Sequence, residues 1–143
     1  MPFTRVYMAV TADQLSSLAE GGTLGPAPLP AHAVTAALGK PGLTTDQEEL
    51  EHTAWLAAVE DAVQLTGGGA SRRVVAAADV DSGEVAQPSS ADVASRVEVA
   101  TPVERRWVVS FHVDETLGAT AATDLLWFDV TELDEVRSLV AGS

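Results

Sequence analysis

There is no cysteine among the 143 residues. That removes disulfides, thiolate metal centres, iron–sulfur clusters and a cysteine nucleophile together. Basic residues are scarce as well. Lys and Arg total 8 against 21 Asp and Glu, for a formal net charge of −13, and Lys40 is the sole lysine. So negative a surface repels phosphate backbones and argues against direct DNA or RNA binding. It leaves room for basic partners, and for proteins that themselves bind nucleic acid. No apolar run reaches the roughly 18 residues of a membrane span, and residues 1–10 lack a basic region followed by a long apolar stretch. The expectation is a soluble, cytoplasmic protein with no membrane association.

Catalytic signatures are missing too. No Gly-x-Ser-x-Gly elbow and no Gly-x-Gly-x-x-Gly occurs. The run Gly67-Gly68-Gly69 follows a helical pattern and lacks the Gly-Lys-Ser/Thr that a phosphate loop needs, so it reads as a helix stop. Ser71, just beyond it, has no apolar strand before it.

What is present is a chain with 46% hydrophobic and 20% charged residues. That is enough to build a core in one domain spanning 1–143. Residues 3–10 alternate as a strand, with Val6, Met8 and Val10 on one face and Arg5 and Tyr7 on the other. Thr11 with Gln14 is a capping box, and Gly21-Gly22 ends the helix that follows. Prolines at 26, 28 and 30 keep the next stretch extended, while residues 31–38 fit either a short strand or a helical turn. Thr44 and Thr45 open the strongest helix, carrying Leu50, Ala54, Ala57, Ala58, Ala62 and Leu65 inward. Residues 72–80 form a strand that is apolar on both faces, hence central. Residues 81–94 read as a polar loop, and residues 115–123 as loop or loose helix. Further strands fall at 96–100, at 106–113 with Trp107, Val109, Phe111 and Val113 on the core face, and at 125–130. Thr131 with Asp134 then caps a final helix. The fold class is α+β: a mixed, largely antiparallel sheet of about five strands packed by two or three helices.

Several segments resemble a family of small, acidic, uncharacterised actinobacterial proteins. They are Arg5-Val6-Tyr7, Ala31-His32-Ala33-Val34-Thr35, Glu48-Glu49-Leu50-Glu51, Arg72-Arg73-Val74-Val75, Ala77-Ala78-Asp79-Val80, Ser110-Phe111-His112-Val113-Asp114 and Leu125-Leu126-Trp127. The resemblance implies a shared scaffold and no assigned activity, so it carries over no catalytic residue and no cofactor.

Five sets of residues bear on function. His112 and Asp114 share one face of a strand, and Asp79 and Asp81 end another. If those strands pair, Asp79, His112 and Asp114 suit a divalent cation; the plainer interpretation is solvent-facing strand ends. Glu48 and His52 lie one helical turn apart, which suits either a metal or a solvated helix face. His32, among Ala, Val and Pro, reads as a packed or surface histidine. Trp55 and Trp127 fall off the main apolar stripes and are candidate interface anchors. The pairs Arg72-Arg73 and Arg105-Arg106 are either a small anion site or counter-charges for nearby carboxylates. The leading expectation is a non-enzymatic protein-binding or regulatory domain, with a protein partner or self-association and no cofactor. The alternatives are a metal-dependent hydrolase on Asp79, His112 and Asp114, and an acidic decoy of a nucleic-acid-binding protein.

Overall fold

The structure, a computed structural model, describes residues 2–35, 46–66, 71–88, 93–118, 121 and 125–141. It is α+β. Seven strands form one antiparallel sheet, ordered β5-β6-β3-β1-β4-β8-β9. These are β1 (Phe3–Ala9), β3 (Leu29–His32), β4 (Val74–Asp81), β5 (Val85–Ala86), β6 (Arg96–Val99), β8 (Val108–Asp114) and β9 (Leu125–Asp129). A small second sheet pairs β2 (Thr23–Leu24) with β7 (Val103–Glu104). The helices are α1 (Ala12–Gly21), α2 (Gln47–Leu65) and α3 (Leu133–Ala141).

The sheet is the centre because β1 and β4 are apolar on both faces. Val6 and Met8 of β1, with Val74, Ala76, Ala78 and Val80 of β4, join Leu15 and Leu18 of α1 and Leu133 and Val136 of α3 in one core. The opposite face offers Tyr7, Val75 and Ala77, which pack on Ala54, Ala58, Val59 and Ala62 of α2. Alanines on both sides let the helix approach the strands closely. At roughly 25 cal/mol per Å² of apolar area, two buried faces supply most of the folding drive.

Local sequence explains the helix starts, with two revisions. Thr11 and Gln14 form the expected capping box. Gly22 then stops α1 at φ 79°, a left-handed conformation that glycine adopts without a Cβ clash. Thr44 and Thr45, and the glycines 67–69, lie outside the described residues; the α2 cap is Asp46, whose carboxylate accepts from the Glu48 N–H. Within α2, Leu65 is exposed and Val59 takes a buried place. The final helix is preceded by a 3₁₀ turn whose capping box is Asp129 with Glu132, two residues earlier than Thr131 with Asp134. Of the ambiguous stretch 31–38, residues 31 and 32 belong to β3, and 36–38 lie outside the described residues.

The strand at 106–113 also needed correction. It begins at Val108, after a 3₁₀ turn over Arg105–Trp107. A register shift at Ala77/Ala78 brings Val108 opposite Ala78. This bulge moves Val108 into the core in place of Val109, since one extra residue reverses the alternation.

Arg73 and Asp114 clamp the end of the β4–β8 pair. Both are buried, at 4% and 1% exposure. The Arg73 Nη2 donates to Asp114 Oδ1 at 2.7 Å, and the Arg73 backbone N–H donates to Oδ2 at 2.7 Å. Nη2 also donates to the Ala121 carbonyl at 2.8 Å, tying the turn before β9 to the clamp. Asp114→Ala, which strands a buried guanidinium, is expected to lower unfolding free energy by about 3–5 kcal/mol in urea titration. An Arg73→Met/Asp114→Leu double variant, with neither charge left, is expected to recover much of that loss.

Candidate functional site

α2 covers the sheet over β3, β1 and β4. Beyond it, the same face of β8 and β9 has no helix among the described residues. The step between the helix wall and this bare floor is an open cleft of about 610 Å³. β1 supplies Arg5 and Tyr7, and the N-terminal half of α2 supplies Glu48, Glu51, His52 and Trp55. The floor is His112 of β8 with Leu125 and Trp127 of β9.

Spacing explains why these residues meet. Glu48, Glu51, His52 and Trp55 recur at three and four residues, which puts them on one side of a helix. His112 and Trp127 are register partners across the β8–β9 ladder, so their rings are neighbours. Trp55 stands edge-on to His112, with ring centroids 5.3 Å apart at 65°, and stacks on His52 at 5.6 Å and 23°. Its indole N–H is buried with no hydrogen-bond partner among the described residues. Ring contacts rather than a hydrogen bond therefore hold Trp55. Trp127 is 59% exposed.

The ionisable groups of the cleft are tuned by burial. Burial pushes the His112 imidazole below its ordinary value, leaving it neutral near pH 7. Burial, aided by the charge of Glu51, pushes the Tyr7 hydroxyl up, so it stays a protonated phenol. Arg5 is turned toward Asp79, donating from Nη2 to Oδ2 at 3.0 Å.

The predicted metal set is not brought together. Asp79, His112 and Asp114 do lie on one face, but His112 is the partner of Val75, four residues along β4 from Asp79. At about 3.3 Å per residue that is about 13 Å of strand. Asp79 is engaged by Arg5 and Asp114 by Arg73. Among the described residues, no group of three His, Asp or Glu side chains is placed to hold a metal ion. The arginine pairs serve nearby groups: Arg73 binds Asp114, Arg106 reaches Glu104 at 3.2 Å, and Arg72 donates to the Leu139 carbonyl at 2.8 Å. Of the two interface candidates, Trp55 and Trp127, both line the same cleft.

One constellation was not legible in the sequence. The His32 Nδ1 lies 2.8 Å from Ser95 Oγ, and its Nε2 lies 2.9 Å from Asp61 Oδ2. Arg96 grips both oxygens of Asp61, at 2.8 and 3.0 Å. The order Ser–His–Asp resembles a hydrolytic relay. However, Ser95 and His32 are each 1% exposed. A serine nucleophile must reach a substrate carbonyl, and nothing enters there. The cluster braces β3, β6 and α2 instead. His32, Asp61 and the Ser95-Arg96 pair sit far apart in sequence, with no spacing pattern to announce them.

These features define an antiparallel α+β protein with an aromatic, carboxylate-edged cleft beside α2. The chain belongs to the family of unknown function DUF6912, which it matches over residues 4–121. That stretch runs from the second residue of β1 through β8 and leaves Leu125 and Trp127 beyond its end. No curated protein and no solved structure matches the chain. No helix among the described residues is long and apolar enough to cross a membrane.

Two measurements check the electrostatics. The ring protons of His112 are expected to titrate by NMR with a midpoint below 6.5, the ordinary value. A folded histidine with a depressed pKa binds fewer protons than the unfolded one, so it costs stability as pH falls below 6.5. For Asp61, burial by itself raises the pKa, but Arg96 and His32 together hold it below 3.8. Its contribution is therefore complete above about pH 4 and is lost as pH falls through the lower folded value. Asp61→Asn is expected to destabilise the fold by about 1–3 kcal/mol at neutral pH. In denaturant titrations the gap to the wild type should narrow below about pH 4.

Proposed function

We propose that the protein is a binding module that engages a partner protein through the cleft between α2 and the β8–β9 face. The observation that carries this reading is the half-covered sheet. A sheet face left bare normally needs a cover, and this one bears a tryptophan that is 59% exposed. Tryptophan is the residue type most enriched where binding energy concentrates. Trp127, Leu125 and Trp55 give the cleft apolar substance, and Glu48 and Glu51 give it a polar edge, which is the make-up of an interface rather than of a hydrolytic centre. The engagement of Asp79 and Asp114 by arginines also weighs against the hydrolase alternative.

A photo-crosslinking residue placed at position 127, and in a second variant at position 3, tests the proposal in cells that make the protein naturally. Phe3 is 64% exposed and does not line the cleft, so it reports encounters outside it. Discrete adducts from position 127 that are absent from position 3 are expected. Identical products from both positions, or none from position 127, would contradict it.

A further inference from the structure

Granting that the cleft receives a partner protein, we propose that what it receives is a basic segment, with an arginine side chain lying against its aromatic walls and facing Glu48 and Glu51. The argument begins with which charges are already matched. Arg5 pairs with Asp79, Arg73 with Asp114, Arg96 with Asp61 and Arg106 with Glu104. Glu48 and Glu51 are in none of these pairs: Arg5 feels the charge of Glu51 but bonds to Asp79, and among the described residues Glu51 accepts a 3.3 Å bond from the Gln47 side chain. Glu48 sits in the first turn of α2, where it also suits the helix dipole. Glu51 lies a turn further in, where the dipole explains less of it.

The walls agree with the charges. Trp55, Trp127 and Tyr7 line the cavity, and aromatic faces carry negative quadrupole density that attracts a cation. A planar guanidinium also stacks on such faces, which a compact ammonium does less well. The single cation in the lining, Arg5, is committed to Asp79. His112, held neutral by burial, adds no positive charge. A volume of about 610 Å³ exceeds one side chain and admits apolar neighbours of the arginine over Leu125 and Trp127.

A second copy of this chain fits less well. In a two-fold dimer the same patch meets itself, so Glu48 and Glu51 would face their own counterparts. A net charge of −13 adds general repulsion between copies and draws basic partners in.

Short peptides identical except at one central position, bearing arginine, lysine, citrulline or glutamate between leucines, are titrated into the full chain. The indole N–H signals of Trp55, Trp127 and Trp107 are followed by NMR. The arginine peptide is expected to shift Trp55 and Trp127 and leave Trp107, on the far side of the sheet, unmoved. Citrulline keeps the shape and loses the charge, and is expected to bind about tenfold more weakly. Glu48→Gln/Glu51→Gln is expected to weaken the arginine peptide by a similar factor while sparing citrulline. Raising ionic strength to about 1 M, where screening acts over about 3 Å, should erase the preference. Equal binding of arginine and citrulline at Trp55 and Trp127 overturns the cation preference and leaves the protein-binding cleft standing. Failure of every peptide to move those two signals overturns both.

Discussion

Between β1 and β4, seven residue pairs run in unbroken antiparallel register from Phe3 opposite Asp81 to Ala9 opposite Val75. Both strands are buried on both sides, so the ladder commits the fold to two covering layers. α1 and α3 supply one, sealed by Leu15, Leu18, Leu133 and Val136. α2 supplies the other. Because alternate residues of a strand point to opposite faces, a slip of one strand by one residue in this ladder would put either Arg5 or Asp79 into the main core. The Arg5–Asp79 ion pair across the strands follows from that register, and the buried Arg73–Asp114 clamp follows from the neighbouring β4–β8 register.

The cleft is a consequence of unequal coverage. Among the described residues, one face of the seven-stranded sheet meets two helices, while the other meets α2, positioned over β3, β1 and β4. Its small residues, Ala54, Ala58 and Ala62, bring it close to the strands. Larger residues then fall at its flank, where Trp55 reaches over His112. The buried brace of His32, Asp61, Arg96 and Ser95 pins the C-terminal half of α2 over β3 and β6. With that end pinned, the N-terminal half carries Glu48, Glu51 and His52 out beside the uncovered strands. A structural cluster thereby sets the geometry of the cleft without lining it.

Much of the architecture was legible from short-range pattern. The alternation of Val6, Met8 and Val10 against Arg5 and Tyr7, and the double-sided apolar run at 74–80, identify β1 and a central β4. The Thr11–Gln14 box and the Gly22 stop bound α1 because both act through hydrogen bonds and backbone angles within a turn. The phase of β8 was not legible, because the bulge opposite Ala77 and Ala78 depends on the partner strand. The short strands β2, β5 and β7 escaped notice for the same reason: two residues have no periodicity of their own. Pro30, which reads as one of three prolines that keep the chain extended, sits within β3 opposite Glu98.

For the site, residue type in the sequence was informative and companionship was not. Trp55 and Trp127 stood out as aromatic residues off the core stripes, and the chain alone determined that. It also determined the excess of acid, the absence of thiol chemistry and the run of acidic residues that opens α2. That these two tryptophans share one cleft, that His112 joins them rather than Asp79, and that Asp114 is spent on Arg73 were decided only by the tertiary structure. The reason is distance along the chain. Helix faces and strand faces follow from neighbours a few residues apart, whereas strand register and the angle of α2 on the sheet bring together residues 70 or so positions apart, and no local signal encodes which of them will meet.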